Sequence, residues 1–131
     1  MRKVDLIVIG GGPGGERASI QAARHGKKVA LIEEFSVVGG ARINWGTIPS
    51  KTLRESAMYL IGLRTRSEGV LDIDVPPDLK VANLMRRLKH VLAGHEEYIA
   101  RQLERNRVDC RRGRARFVAP EVVEIVGVNG K

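Results

Sequence analysis

Three glycines and one acid are the residues here whose types and spacing could do chemistry together: Gly10, Gly12, Gly15 and Glu33. The glycines stand at G-x-G-x-x-G spacing. The first of such a set permits a tight turn, the second lets a pyrophosphate approach the backbone, and the third lets helix and strand pack closely. Gly14 lies inside the same turn and is a further candidate contact. A helix beginning there offers unpaired N–H groups and partial positive charge to phosphates. Glu33 directly follows the apolar run VALI, where a carboxylate can accept hydrogen bonds from ribose hydroxyls. Its neighbour Glu34 is the alternative acid. The glycine pattern alone does not separate FAD from NAD as the ligand.

The elements around these residues decide how much the pattern means. LIVI, within Met1 to Ile9, is a continuous β-prone run that predicts a parallel strand covered on both faces. Pro13 to His25 reads as a helix with inward Ala18, Ile20, Ala22 and Ala23, and Lys28 to Glu33 as a second strand. Strand, glycine turn, helix, strand and acid is the order a dinucleotide fingerprint requires. The competing reading, a glycine-rich structural turn, leaves that order without a cause.

Further along, Phe35 to Gly46 reads as a loop broken by Gly39, Gly40 and Gly46. Helical spacing returns after Pro49, with Leu53, Ala57, Leu60 and Ile61 on one face. Ser67 to Asp78 carries Pro76 and Pro77 and reads as a connection. Leu79 to Arg107 is the longest helical pattern, with an apolar stripe of Val81, Leu84, Met85, Leu88, Val91, Leu92, Ile99 and Leu103. Val108 to Phe117 and Glu121 to Val126 are strand candidates, and Asn129-Gly130 signals a tight turn. An incomplete parallel sheet leads to the expectation of an N-terminal part of a larger design.

Composition narrows the class. With 131 residues, 43% hydrophobic and 29% charged, the chain suits one domain of ordinary globular type. Aromatics at 4% predict an aliphatic core. No apolar run approaches the ~20 residues of a membrane span, so no membrane partner is expected. The single cysteine, Cys110, excludes an internal disulfide and points to the cytoplasm. In its strand it reads as a buried small hydrophobe. The net charge of +8 is concentrated in Arg101 to Arg116. Without interleaved aromatics or a nucleic-acid motif, that run reads as a solvated face, and no nucleic-acid partner is expected. His25, His90 and His95 show no metal-ligand spacing.

Val38 to Ser56, VGGARINWGTIPSKTLRES, closely resembles the loop and helix of the flavoprotein disulfide reductases, G-G-x-C-x-N-x-G-C-I-P-S-K. The match runs through Gly39, Gly40, Asn44, Gly46, Ile48, Pro49, Ser50 and Lys51. Gly113, Ala115 and Phe117 resemble the family's G-x-[AG]-x-F strand, whose backbone passes the FAD adenosine. The resemblance implies an α/β fold, a Rossmann-like FAD-binding domain with a parallel sheet and the start of a β-meander, incomplete over residues 1–131. On that resemblance the family's NAD(P)-binding and dimerisation domains are expected to be absent from residues 1–131. It also implies that Gly40, Arg42, Thr47, Lys51 and Ala115 join the fingerprint in contacting FAD, with Lys51 beside the flavin ring.

The chain departs from that pattern at its redox cysteines, which are Arg42 and Thr47 here. Neither forms a thiolate, so dithiol chemistry is not expected. Threonine at the second position, in WGTIPSKTLR, resembles the soluble pyridine nucleotide transhydrogenase branch; arginine at the first departs even from that branch. The implied activity is hydride transfer between NADPH and NAD⁺ through FAD without a redox disulfide. NAD and NADP are substrates, and a homodimer is expected, only of the full-length enzyme. This segment alone is expected to be inactive. Competing readings are a dihydrolipoamide-dehydrogenase-like paralogue that lost its cysteines, a non-catalytic FAD-binding remnant, and a polyanion-binding domain built on Arg101 to Arg116.

Overall fold

A computed structural model describes residues 2–66 and 81–127. The connection expected over Ser67 to Asp78 and the Asn129-Gly130 turn lie outside the described residues. The chain opens with β1 (Leu6–Ile9), α1 (Pro13–Arg24) and β2 (Val29–Glu33). Strand β1 is shorter than the expected Met1 to Ile9. The Asp5 carboxylate accepts from the Lys28 N–H at 2.6 Å, and regular pairing with β2 starts at the next residue, Leu6 opposite Val29. β1 is also half-buried rather than covered on both faces, because it lies at an edge of the sheet and exposes Ile9.

Three helices follow: α2 (Gly40–Asn44), α3 (Thr47–Arg66) and α4 (Val81–Arg105). They lead into β3 (Asp109–Arg112), which pairs parallel to β2. The sheet order is β1-β2-β3, so β2 is central and buries Val29, Leu31 and Ile32. The expected single strand from Val108 to Phe117 is two strands. Gly113 donates its N–H to the Glu33 carbonyl at 2.9 Å, then turns the backbone at φ +151°, where a side chain would strain. Beyond it β4 (Arg114–Ala119) leaves the parallel sheet and pairs antiparallel with β5 (Val122–Val126), with an irregularity between Phe117 and Ala119.

The core is aliphatic, as the composition predicts: Val29, Leu31, Ile43, Ile99, Leu103 and Val108. The α4 stripe supplies it through Ile99 and Leu103 and also buries Leu88, while Val81 and Met85 are exposed. Helix α4 ends in a Schellman turn. Val108 N–H reaches the Leu103 carbonyl at 3.0 Å, Arg107 N–H reaches that of Glu104 at 2.8 Å, and Arg107 takes a left-handed φ of +58°. Leu103 and Val108, the pair such a turn brings together, both sit in the core.

Two helix faces differ from the periodicity. On α1 the fully inward residues are Glu16 and Ser19, whereas Ala18 is exposed. On α3 the buried residues are Thr52 and Ser56, and Ile61 is exposed. On α3 the inward Ser56 bonds the Thr52 carbonyl one turn back at 2.9 Å, whereas the buried Ser19 hydroxyl on α1 has no partner among the described residues. No helix among the described residues is long and apolar enough to cross a membrane.

Candidate functional site

The parallel register places Ile9 opposite Ile32, and the Gly10 N–H donates to the Ile32 carbonyl at 2.8 Å. The glycine turn therefore starts beside the C-terminal end of β2. Gly12 is the N-cap of α1 with extended backbone, and no side chain caps that helix. Its first-turn amides thus meet no competing side-chain oxygen. Gly14 and Gly15 lie in the first turn of α1. A Cβ on Gly15 would stand 1.9 Å from the Gly10 carbonyl oxygen, so only glycine allows this approach of helix to strand end.

Glu33 reaches back into the turn. One carboxylate oxygen accepts from the Gly11 N–H at 2.6 Å and the other from Phe35 N–H at 3.0 Å. Both are charge-assisted bonds. Glu34 is exposed and makes no hydrogen bond or ion pair among the described residues. That difference favours Glu33 as the positioned acid.

The second glycine pair closes over the first. Gly39 N–H donates to the Gly11 carbonyl at 2.7 Å. A Cβ on Gly40 would lie 2.8 Å from the Gly12 Cα, and Gly40 has φ +61°. The expected loop from Phe35 to Gly46 thus contains a short helix, α2, whose first residue packs on the fingerprint. It is held by fully buried Ile43, by Asn44 Nδ2 donating to the Gly40 carbonyl at 3.1 Å, and by an edge-on contact of Trp45 with Phe35 at 5.0 Å.

Arg42 lies on α2 and directs its guanidinium to the Glu16 carboxylate, 3.5 Å away. Thr47 and Lys51 lie exposed in the first turns of α3, where Ser50 Oγ donates to the Gly46 and Thr47 carbonyls at 3.0 and 3.2 Å. Ala115 lies half-buried on β4, opposite Ile125. Gly10, Gly12, Gly14, Gly15, Glu33, Gly40 and Arg42 therefore gather around one turn. No hydrogen bond or ion pair among the described residues joins Thr47, Lys51 or Ala115 to that cluster.

Sequence reasoning missed Gly11 and Glu16, and named Gly39 in the motif match without giving it a role in the site. The signals were present: Gly11 lies between two fingerprint glycines, and Glu16 directly follows the last of them. The expectation for Cys110 is corrected. It is exposed rather than buried, because its strand lies at the free edge of the sheet. Partial shelter against the protein, then the charge of Asp109, raises its pKa above that of an ordinary thiol. Among the described residues no group of three or more His, Cys, Asp or Glu could hold a metal ion. In the basic run, Arg101 pairs with Glu97, Arg111 with Asp109 and Arg116 with Glu124.

Comparison with known proteins decides the family. Residues 5–121 match the model of the FAD dependent oxidoreductases. The chain belongs to that family. It is 42% identical over 123 residues to a soluble pyridine nucleotide transhydrogenase of Mycobacterium bovis, covering 94% of this chain and 26% of the relative. It is 39% identical over 130 residues to one from Hahella chejuensis, covering 98% and 28%. A solved flavoprotein disulfide reductase, RclA from Escherichia coli in a Cu(II) complex, superimposes with a TM-score of 0.71 at 25% identity. That superposition covers 95% of this chain and 26% of RclA. The α/β architecture is thus that of the flavoprotein disulfide reductases. The chain spans about a quarter of the length of the curated relatives it matches.

The site fits the family's cofactor on its own geometry. A helix N-terminus without a side-chain cap, backbone glycines that keep Cβ atoms away from it, and a carboxylate at the adjoining strand end are the parts a dinucleotide requires.

Proposed function

We propose that this chain is the N-terminal part of the FAD-binding domain of a transhydrogenase-like flavoenzyme. The enzyme moves hydride between NADPH and NAD⁺ without a redox disulfide. The observation that carries this reading is the joint between the two glycine motifs, Gly39 N–H on the Gly11 carbonyl with Gly40 against Gly12, next to a loop with no cysteine. FAD, when bound, supplies the hydride chemistry.

The residues of this chain bind and orient. The N-terminal amides of α1 and the backbone of Gly10, Gly12, Gly14 and Gly15 take the pyrophosphate. Glu33 accepts from the ribose hydroxyls, and its existing bond to Gly11 holds the carboxylate at the right depth. Gly40 shapes the passage toward the flavin, with Arg42, Thr47 and Lys51 lining that end and Lys51 presenting a cation. Ala115 offers a small side chain beside the adenosine. The NAD(P)-binding and dimerisation domains belong to residues outside this chain, and the homodimer is a property of the full-length enzyme. A single cysteine supports a cytoplasmic setting.

Two measurements test the reading. Titration of this chain with FAD should quench flavin fluorescence with weak affinity. The full-length protein should reduce an NAD⁺ analogue with NADPH and leave lipoamide untouched. Lipoamide reduction would replace this reading with the dihydrolipoamide-dehydrogenase-like one. A full-length protein that binds FAD but performs neither reaction would replace it with a non-catalytic remnant.

A further inference from the structure

Glu16 is a buried acid in the first turn of the helix that carries the glycine fingerprint. Its side chain is 10% exposed, and Arg42 is its one charged partner among the described residues, at 3.5 Å. An acid so placed carries two liabilities. Its charge is expensive away from water unless paired. It also stands on the helix end that the fingerprint offers to phosphates. Arg42 answers both, and does so from the position where the disulfide reductase pattern has its first redox cysteine.

The geometry gives the pair leverage. Glu16 N–H bonds the Gly12 carbonyl at 2.9 Å, so Glu16 sits one helical turn beyond Gly12. Arg42 sits two residues beyond Gly40, whose backbone packs on Gly12. Two neighbouring contacts therefore fix α2 against α1, one backbone to backbone and one charge to charge. Buried Ile43 and the Gly39–Gly11 hydrogen bond also seat α2, and the ion pair adds the charged contact between α2 and α1.

We propose that Arg42 is a positioning residue that clamps α2 to α1 through Glu16 and cancels the Glu16 charge beside the phosphate-binding turn. A position associated with thiol chemistry is used here for electrostatic assembly. The cancelling role rests on the flavin reading given under Proposed function; the clamp does not.

A double-mutant cycle on the 131-residue chain tests it, with Arg42→Ala, Arg42→Cys, Glu16→Gln and the pair Glu16→Gln/Arg42→Ala. Thermal melts without FAD report the clamp. Arg42→Ala and Arg42→Cys should each lower Tm by roughly 4–8 °C, because a buried acid loses its partner. Adding Glu16→Gln should restore most of that loss, and it should do so even if Arg42→Ala alone fails to fold. Flavin fluorescence titrations report the charge. Arg42→Ala should weaken FAD binding about tenfold at low salt, less at high salt, and Glu16→Gln should recover it. Additive melts, or an Arg42→Cys chain as stable as the parent, overturn the clamp whatever FAD does. Coupled melts with no FAD binding by the parent chain uphold the clamp and reject the flavin reading instead. Coupled melts with FAD affinity unchanged in Arg42→Ala overturn the cancelling role.

Discussion

The glycine joint and the β4–β5 hairpin are built on opposite principles. At the joint, backbone meets backbone: Gly15 on the Gly10 carbonyl, Gly40 on Gly12, Gly39 on Gly11. Side chains there are few and each has a fixed partner. In the hairpin, large side chains stand in solvent, including Phe117 at 66% exposure with Val118, Ile125 and Val126 also exposed. Its cross-strand ion pair, Arg116 with Glu124 at 2.6 Å, is at the surface, where such pairs contribute little. At Gly15, Gly39 and Gly40 the joint has no room for a Cβ, whereas the hairpin's large side chains already stand in solvent. Constraint in this molecule tracks how closely backbones approach rather than how much apolar area a segment carries.

The strongest way to break this contrast is at Gly15. Gly15→Ala places a methyl group within the Gly10 carbonyl and should cost about 3 kcal/mol, the upper range for overpacking, measured by urea unfolding. Next comes Glu33→Ala, which leaves the Gly11 and Phe35 amides without acceptors and should cost about 2 kcal/mol in the same assay, while lowering any FAD affinity. Arg107→Gly should act in the other direction. It relieves a left-handed non-glycine residue at the end of α4 and should stabilise by up to about 1 kcal/mol. Phe117→Ser in the hairpin should change stability by less than about 0.5 kcal/mol; a loss several times larger would mean that the hairpin is as constrained as the joint. The smallest effect concerns Cys110. Because its pKa is raised, its thiolate fraction near neutral pH is below that of a free thiol. Alkylation should therefore be slower than for a model thiol at neutral pH and should approach it as pH rises; Asp109→Asn should narrow the gap.

The contrast also explains what could be read without coordinates. The β1-α1-β2 unit was legible because glycine spacing, apolar runs and a helical period all describe the same local stretch. Helix α4 was legible from its stripe, its C-terminal end within two residues. Helix α2 was not, since five residues make little more than one turn and leave no repeat for sequence to display. The break at Gly113 was hidden because a glycine inside a β-prone run looks like a weak strand position, and only the bond to the Glu33 carbonyl shows where the parallel ladder stops. The burial of Glu16 was hidden for a different reason. Its partner, Arg42, lies on another helix, and nothing in local sequence registers a pairing made by tertiary packing.

The order of the sheet has a consequence for how the chain folds. β1 and β2 are joined by one short helix, so their pairing closes a small loop early and cheaply. β3 pairs with β2 only after α2, α3 and α4 have been made or bypassed, a long-range contact of the kind that slows folding. The Schellman turn at Arg107 shortens that search. It points the chain leaving α4 directly along β2, so docking of one helix through Ile99 and Leu103 also delivers the strand. Packing of α4 on the core and pairing of β3 with β2 are thus coupled through a single turn.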